Sequence, residues 1–331
     1  MINKKSILIT GGTGSFGEHF VSYLLKNYNP KKILVFSRDE QKHFNLSRKF
    51  KKFNSKLRFL IGDVRDYKRL SFAMKGVDIV VHAAAMKHVP ITEYNPFEAV
   101  KTNILGSQNV IDASLKNKVQ KVVALSTDKA SSPINLYGAT KLTADKMFIS
   151  ANNYTIKNKD PIFSVVRYGN VMSSKGSIIP LLLKNKHRES FSITDKRMTR
   201  FSLTLEESCR LVIFSIKNMI GGEIFVPKIP SYRLLDLTKA LMPNTKIKFS
   251  GIRPGEKINE ELISENDAMR TLSYKDKYII LPNSEYQHSI SKYLKTYKKS
   301  KLCERGFSYR SNTNKKFLTI KELKKLIKDD Q

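Results

Sequence analysis

The chain has 331 residues, 40% of them hydrophobic, and a formal net charge of +31 from 60 Lys and Arg against 29 Asp and Glu. This fits a globular protein with one large domain and a smaller appended lobe, and excludes a disordered or fibrous chain. Cys209 and Cys303 are its only cysteines, which excludes a disulfide framework and a cysteine-built metal centre. No apolar run reaches the roughly 18 residues of a membrane span, the N-terminus lacks the shape of a signal peptide, and a cytoplasmic setting is expected. The charge is mostly lysine spread along the chain, densest from Lys292 to Lys328. Without a nucleic-acid-binding motif it reads as solvated surface that also attracts an anionic substrate; neither nucleic acid nor membrane is expected as a partner.

Strands are expected at 6–10, 32–36, 57–61, 78–82, 121–126 and 162–167, and helices near 16–27, 39–50, 66–75, 97–116 and 136–152. Continuously apolar strands alternating with helices predict an α/β fold, a doubly wound parallel sheet covered on both faces. The first strand runs into Gly11, Gly14 and Gly17, with Thr13, Ser15 and Phe16 between them and a helix behind. This strand–turn–helix predicts a dinucleotide site, with the pyrophosphate at the helix N-terminus. Glu18 and His19 follow where a triphosphate-binding loop needs Lys and Ser or Thr.

The second strand ends in Ser37-Arg38-Asp39. An acid here would bind a ribose 2′-hydroxyl and an arginine a 2′-phosphate; Arg38 comes first and Lys42 backs it, which tilts the expectation to NADP. Asp63 and Val64 after the third strand are expected at the adenine edge, and Ala83, Ala84 and Ala85 after the fourth at the middle of the cofactor. His82 and His88 lack further ligands nearby, so buried structural roles are expected and no metal.

The fifth strand leads through Leu125 and Ser126 into Thr127-Asp128-Lys129, and the next helix opens with Tyr137 and Lys141 on one face. An ammonium beside a phenol favours the phenolate, making Tyr137 a base near neutral pH, and Ser126 or Thr127 could hold the reacting oxygen. Beyond about 175 the pattern loosens. Residues 1–175 read as the dinucleotide-binding domain, 200–226 return to it, and 176–199 with 227–331 form a substrate lobe. Residues 315–328 read as an amphipathic helix docked on that lobe, with Phe317, Ile320, Leu323 and Ile327 on one face.

With the glycine turn, residues 37–40, 62–66, 82–90, 126–129, 135–141, 166–171, 198–201 and 251–257, the chain resembles the extended short-chain dehydrogenases/reductases. Within them it is similar to the inverting UDP-N-acetylglucosamine 4,6-dehydratases that begin pseudaminic acid synthesis for flagellin glycosylation. The resemblance implies that Tyr137 deprotonates the sugar 4-hydroxyl, with Lys141 holding the cofactor ribose. Asp128 would protonate the leaving 6-hydroxyl. Lys129 would take the proton from carbon 5, which requires a depressed pKa, attributed to burial, the cofactor lobe and Lys141. Retaining dehydratases carry Asp-Glu at the Asp128-Lys129 positions, so this pair implies inversion; a phosphate or backbone contact is the alternative role for Lys129. Epimerising and membrane-anchored relatives often replace the tyrosine by methionine.

The resemblance also implies that Asn170 and Val171 line the uracil–sugar pocket, that Arg253 and Glu256 hold the diphosphate and ribose, and that Lys87 joins the substrate set. Arg200 is a weaker substrate candidate, and a structural salt bridge is equally open. A homo-oligomer, dimer or hexamer, is implied. The alternatives are a retaining dehydratase or 4-epimerase on the same scaffold, a regulator that senses NADP without catalysis, and a nucleic-acid-binding module.

Overall fold

A computed structural model of the chain describes residues 1–155, 161–172, 177–283 and 289–329. Six parallel strands, β1 (Ser6–Thr10), β2 (Lys32–Ser37), β3 (Leu57–Ile61), β4 (Ile79–His82), β5 (Lys121–Thr127) and β6 (Ile162–Tyr168), lie in the order β3-β2-β1-β4-β5-β6. The order reverses between β1 and β4, and β1 is flanked in parallel by β2 and β4, with Ile7 opposite Ile33 on one side and Ile79 on the other. A ligand crevice therefore opens at the carboxyl ends of these strands. Ile7, Leu8 and Ile9 are fully buried, as strands covered on both faces require.

The covering helices include α1 (Ser15–Asn27), α2 (Glu40–Lys49), α3 (Tyr67–Ala73), α4 (Val89–Tyr94), α5 (Pro96–Ala99), α6 (Gly106–Lys116) and α7 (Leu136–Ser150). The helix expected over 97–116 runs unbroken from Pro96 to Lys116, with a change of winding inside it. Pro90 and Pro96 stand in the first turns of α4 and α5, and Val100–Leu105 winds as a wider π-type turn before α6. That wide turn carries Asn103, whose amide nitrogen donates to the Met86 carbonyl and to Thr140 Oγ1, both at 3.0 Å. It thereby ties the segment after β4 to α7.

The helix Leu205–Asn218, started by a reciprocal cap between Thr204 and Glu207, leads into the strand Ile224–Pro227, parallel beside β6. Three antiparallel strands, Thr271–Tyr274, Lys277–Ile280 and Lys301–Leu302, continue the sheet. Residues 227–331 are thus not all lobe. The reason is the edge of Ile224–Pro227, which the hairpin pairs while burying Leu272, Ile279 and Ile280.

The lobe has a separate core, built from Ile179, Leu182, Ile193, Met198, Leu237, Leu323 and Ile327 among others. The terminal helix Ile320–Asp329 buries Leu323 and Ile327 there, whereas Ile320 stays 37% exposed. Among the described residues no helix is long and apolar enough to cross a membrane.

Candidate active site

The loop from β1 to α1 is shaped by close backbone approach. Gly11 has φ 65°, and a Cβ on it would meet the Ala84 nitrogen and Cα at 2.9 Å. A Cβ on Gly17 would fall 2.5 Å from Gly12. Gly14 is the N-cap of α1 and brings no capping side chain, so the amides of its first turn, from Ser15 through Phe16 to Gly17, lie at an end suited to an anion. Thr13 Oγ1 bonds Ser37 Oγ at 2.8 Å, and Ser37 Oγ in turn bonds His43 Nε2 at 2.9 Å. Ala83 and Ala84 donate their N–H groups to Thr10, while Ala85 is exposed.

At the end of β2 the competing charges separate. Asp39 is the N-cap of α2: it accepts from the Lys42 backbone at 2.9 Å and pairs with the Lys42 ammonium at 2.7 Å. Its hydrogen bonds from Lys42 hold its carboxyl below the usual range. Asp63 is gripped by Arg65 at 2.7 Å, and Arg38 lies 3.7 Å from it with a side chain 60% exposed. Val64 packs into the core, and its carbonyl accepts from Asn109. His82 is buried between Thr10 and Ser107, but His88 is exposed, a correction to its expected burial; its segment does not pack inward before α4 begins.

The catalytic candidates meet where β5 ends. Asp128–Ala130 form one tight turn capped by Thr127, and α7 starts beneath it with Asn135 accepting from the Gly138 N–H at 2.8 Å. Here α7 runs so close that a Cβ on Gly138 would collide with the Lys129 carbonyl oxygen. Asp128 is fully buried. Its Oδ1 accepts from Lys129 Nζ at 3.0 Å and Thr127 Oγ1 at 2.9 Å, and its Oδ2 has no protein partner. Burial raises its pKa and the nearby Glu260 charge adds to this, against the pull of Lys129.

Two expectations about protonation are overturned. Burial works to lower the pKa of Lys129, but Asp128 and Glu260 outweigh it and the ammonium is held above its ordinary range. Tyr137 is pushed up to about 12, because burial outweighs the help of Lys129 and of a hydrogen bond with Thr127. Lys141 does not supply the expected lowering: its Nζ donates to the Leu125 carbonyl at 2.8 Å, and burial, opposed by Asp145, lowers its own pKa. Ser126 is likewise committed, donating to Asp145 Oδ2 at 2.7 Å, so Thr127 is the hydroxyl left near Tyr137.

The segment after β6 and residues around 200 and 251–260 pack beside this turn. Asn170 Oδ1 accepts from Lys129 Nζ at 3.4 Å, and Val171 bridges to Leu203. Arg200 is buried and donates to the carbonyls of Thr199, Lys257 and Ile258, which favours the structural role for it. Arg253 is exposed at the tip of the 251–257 turn, where its N–H meets Glu256 Oε2 at 3.4 Å. Lys87 is exposed beyond β4.

The residue that sequence reasoning missed is Glu260. It is 2% exposed, with Oε1 3.2 Å from Lys129 Nζ and 3.5 Å from Arg200 Nε. Its neighbour Glu261 receives hydrogen bonds from Ser131 and Ser132 and so fastens the segment after Asp128–Ala130 to the strand Glu261–Ile263. Two adjacent acids after a loop motif carry no periodic signal; their position just beyond residues 251–257 was the one available hint. No group of three or more His, Cys, Asp and Glu able to hold a metal occurs among the described residues.

The polysaccharide biosynthesis protein family profile matches residues 7–282. The chain is 49% identical to a UDP-N-acetylglucosamine 4,6-dehydratase (inverting) of Campylobacter jejuni, over 99% of this chain and 98% of that one. It is 41% identical to a UDP-glucose 4-epimerase of Rickettsia bellii, over 99% and 96%. The X-ray structure of Pen from Bacillus thuringiensis superposes with a TM-score of 0.89 at 40% identity, covering 99% and 98%. More distant solved structures, 18–24% identical, share the fold, and several hold NAD. The chain belongs to the polysaccharide biosynthesis protein family and has the fold of the extended short-chain dehydrogenases/reductases.

Proposed function

We propose that the protein is an NADP-dependent dehydratase that removes water across carbons 5 and 6 of UDP-N-acetylglucosamine and inverts carbon 5. The observation that carries this reading is the buried Asp128 carboxyl hydrogen-bonded to Lys129 at 3.0 Å, beside Tyr137. An acid and an amine on one turn supply the two proton transfers that an elimination needs, one to the leaving oxygen and one from carbon 5. The near identity in length with the Campylobacter jejuni enzyme supports it.

The glycine cradle at Gly11, filled by any Cβ, fits a pyrophosphate, and Arg38 with Lys42 fits a 2′-phosphate. The Asp39 carboxylate, which would oppose that phosphate, is occupied by its cap and by Lys42. When bound, the nicotinamide supplies reversible hydride storage. Tyr137 takes the proton of the 4-hydroxyl, steadied by Thr127. The 4-ketone then acidifies carbon 5; Lys129 removes that proton and Asp128 protonates the departing 6-hydroxyl, which leaves as water. Residues 177–193 with 231–249 belong to the substrate lobe, and Asn170, Arg253 and Glu256 meet the uridine diphosphate beside it. A place at the start of pseudaminic acid synthesis, a cytoplasmic setting and a homo-oligomer belong to the same reading.

The test is NMR of the product formed from UDP-N-acetylglucosamine in deuterated water. The expected product is the 4-keto-6-deoxy sugar, labelled and inverted at carbon 5. An unlabelled 4-epimer would instead favour the epimerase reading that the Rickettsia bellii relative raises. Cofactor release with no turnover of any UDP-sugar would favour a sensor.

A further inference from the structure

We propose that Glu260 is a positioning residue that holds Lys129 against Asp128 and sets the pH range in which that pair can share one proton. The proposal rests on the dehydratase reading for its kinetic consequence, but its geometry is independent of it.

Glu260 reaches the site from the far side of the chain. Its backbone is pinned in both directions to Ser311, with N–H to Oγ at 2.9 Å and carbonyl from the Ser311 N–H at 2.8 Å. This leaves its side chain little freedom. Oε1 sits 3.2 Å from Lys129 Nζ, while Oε2 is buried with no protein partner. Lys129 Nζ is therefore held on two sides by carboxylates, with Asp128 Oδ1 at 3.0 Å, and it also donates to Asn170 Oδ1 at 3.4 Å. A buried carboxylate that merely supported the lobe would need no lysine from the catalytic turn.

The consequence concerns a proton. In the resting cluster Asp128 and Lys129 carry one transferable proton between them. Its passage from Nζ to Oδ1 leaves a neutral amine and a carboxylic acid, the two forms elimination needs. The amine then takes the carbon-5 proton and the acid gives its own to the leaving hydroxyl, so the cluster ends as ammonium and carboxylate with its proton count unchanged. Gaining a second proton, or losing the shared one, stops the cycle. The Glu260 charge favours proton binding in both steps, so it places both limbs of the pH profile at higher pH. The other charged and titratable groups around the Asp128–Lys129–Glu260 cluster are Tyr137, Arg200, Tyr232, Lys257 and, through Arg200, Glu256. Of these, Arg200 and Lys257 oppose the effect, and Arg200 pairs with Glu260 directly. Burial acts to raise the Glu260 pKa, but Lys129 and Arg200 outweigh it, so the residue stays ionised.

Glu260→Gln is the test, measured with the full chain. Two readouts are needed: the pH dependence of kcat on UDP-N-acetylglucosamine, and the pH midpoint for labelling Lys129 with trinitrobenzenesulfonate, read by peptide mass spectrometry. The expected result is at least tenfold lower kcat, KM within about twofold, and both limbs displaced to lower pH by about one to three units. The labelling midpoint should fall in the same direction. Glu260→Asp, which keeps the charge but retracts it, should give a smaller shift, and it carries the test if the Gln variant does not fold. Limbs and labelling midpoint unmoved in both variants would overturn the proposal. Wild-type protein inert towards UDP-N-acetylglucosamine would instead sink the dehydratase reading, and the labelling arm would still decide the role of Glu260.

Discussion

The ammonium of Lys141 donates to the carbonyl of Leu125 at 2.8 Å, one turn along the helix from Tyr137. The lysine is thus anchored to the strand end, and the tyrosine ring is held in a desolvated niche where its phenol is pushed up to about 12. Lys129 and Thr127 are the groups that act to lower it. The lowering of the phenol thus comes from the Thr127–Lys129 turn, while Asp145 on its own helix acts with Asp128 to raise it.

Tyr137→Phe should retain the fold and cofactor binding and lose about 100- to 10,000-fold in kcat, the usual range for removing a general base. Stability carries a second signature. The folded phenol titrates above its ordinary value, so its contribution is intact below about pH 10 and is lost as pH rises towards about 12. The Phe variant should lack that alkaline loss in thermal melts from pH 9 upward. Near-wild-type turnover would refute the assignment.

Lys129→Met should slow oxidation at carbon 4, because the ammonium no longer favours the Tyr137 phenolate, and should stop the reaction there, because the carbon-5 proton then has no base. Reduced cofactor should then accumulate on adding substrate, read as absorbance at 340 nm, with no deuterium entering the sugar. Inverted, labelled product at the normal rate would make Lys129 structural and remove the basis for inversion.

Arg38→Ala should weaken NADP binding by roughly 1–3 kcal/mol, the range for losing a hydrogen bond to a charged group, and leave NAD binding little changed. Isothermal titration with both cofactors reads the difference. A wild-type preference for NAD of tenfold or more would show that the exposed Arg38 guanidinium does not meet a 2′-phosphate.

Arg167→Met should destabilise the protein by about 3–5 kcal/mol in urea unfolding, the cost of breaking a buried ion pair by removing one partner. Arg167 is 2% exposed and lies 3.3 Å from Asp145 and 3.2 Å from Asp267. Burial already raises the Asp145 pKa, with Arg167 and Lys141 opposing. In the variant the raised carboxyl should cost least at low pH and increasingly more as pH rises through its titration. A pH-independent loss below 1 kcal/mol would contradict this account.

The parallel sheet, the glycine turn and the Tyr137–Lys141 helix were legible in the chain because each depends on local order. Apolar runs such as Ile7–Ile9 state their burial directly, and a strand–glycine–helix succession dictates backbone direction with no distant partner. Asp128, Lys129, Tyr137 and Lys141 lie within one short stretch, so their meeting needed little more than the turn after β5. What surrounds them was decided in three dimensions. Arg200 and Glu260 reach the site from distant elements, and the clamp between Ser131 and Glu261 spans 130 residues, a separation over which periodicity carries no information. Protonation was beyond sequence for the same reason: the Lys129 amine responds to Glu260, and Tyr137 to the depth of its niche. A side chain's identity is written locally, but its pKa is set by desolvation and by whichever charges the fold brings within a few ångströms.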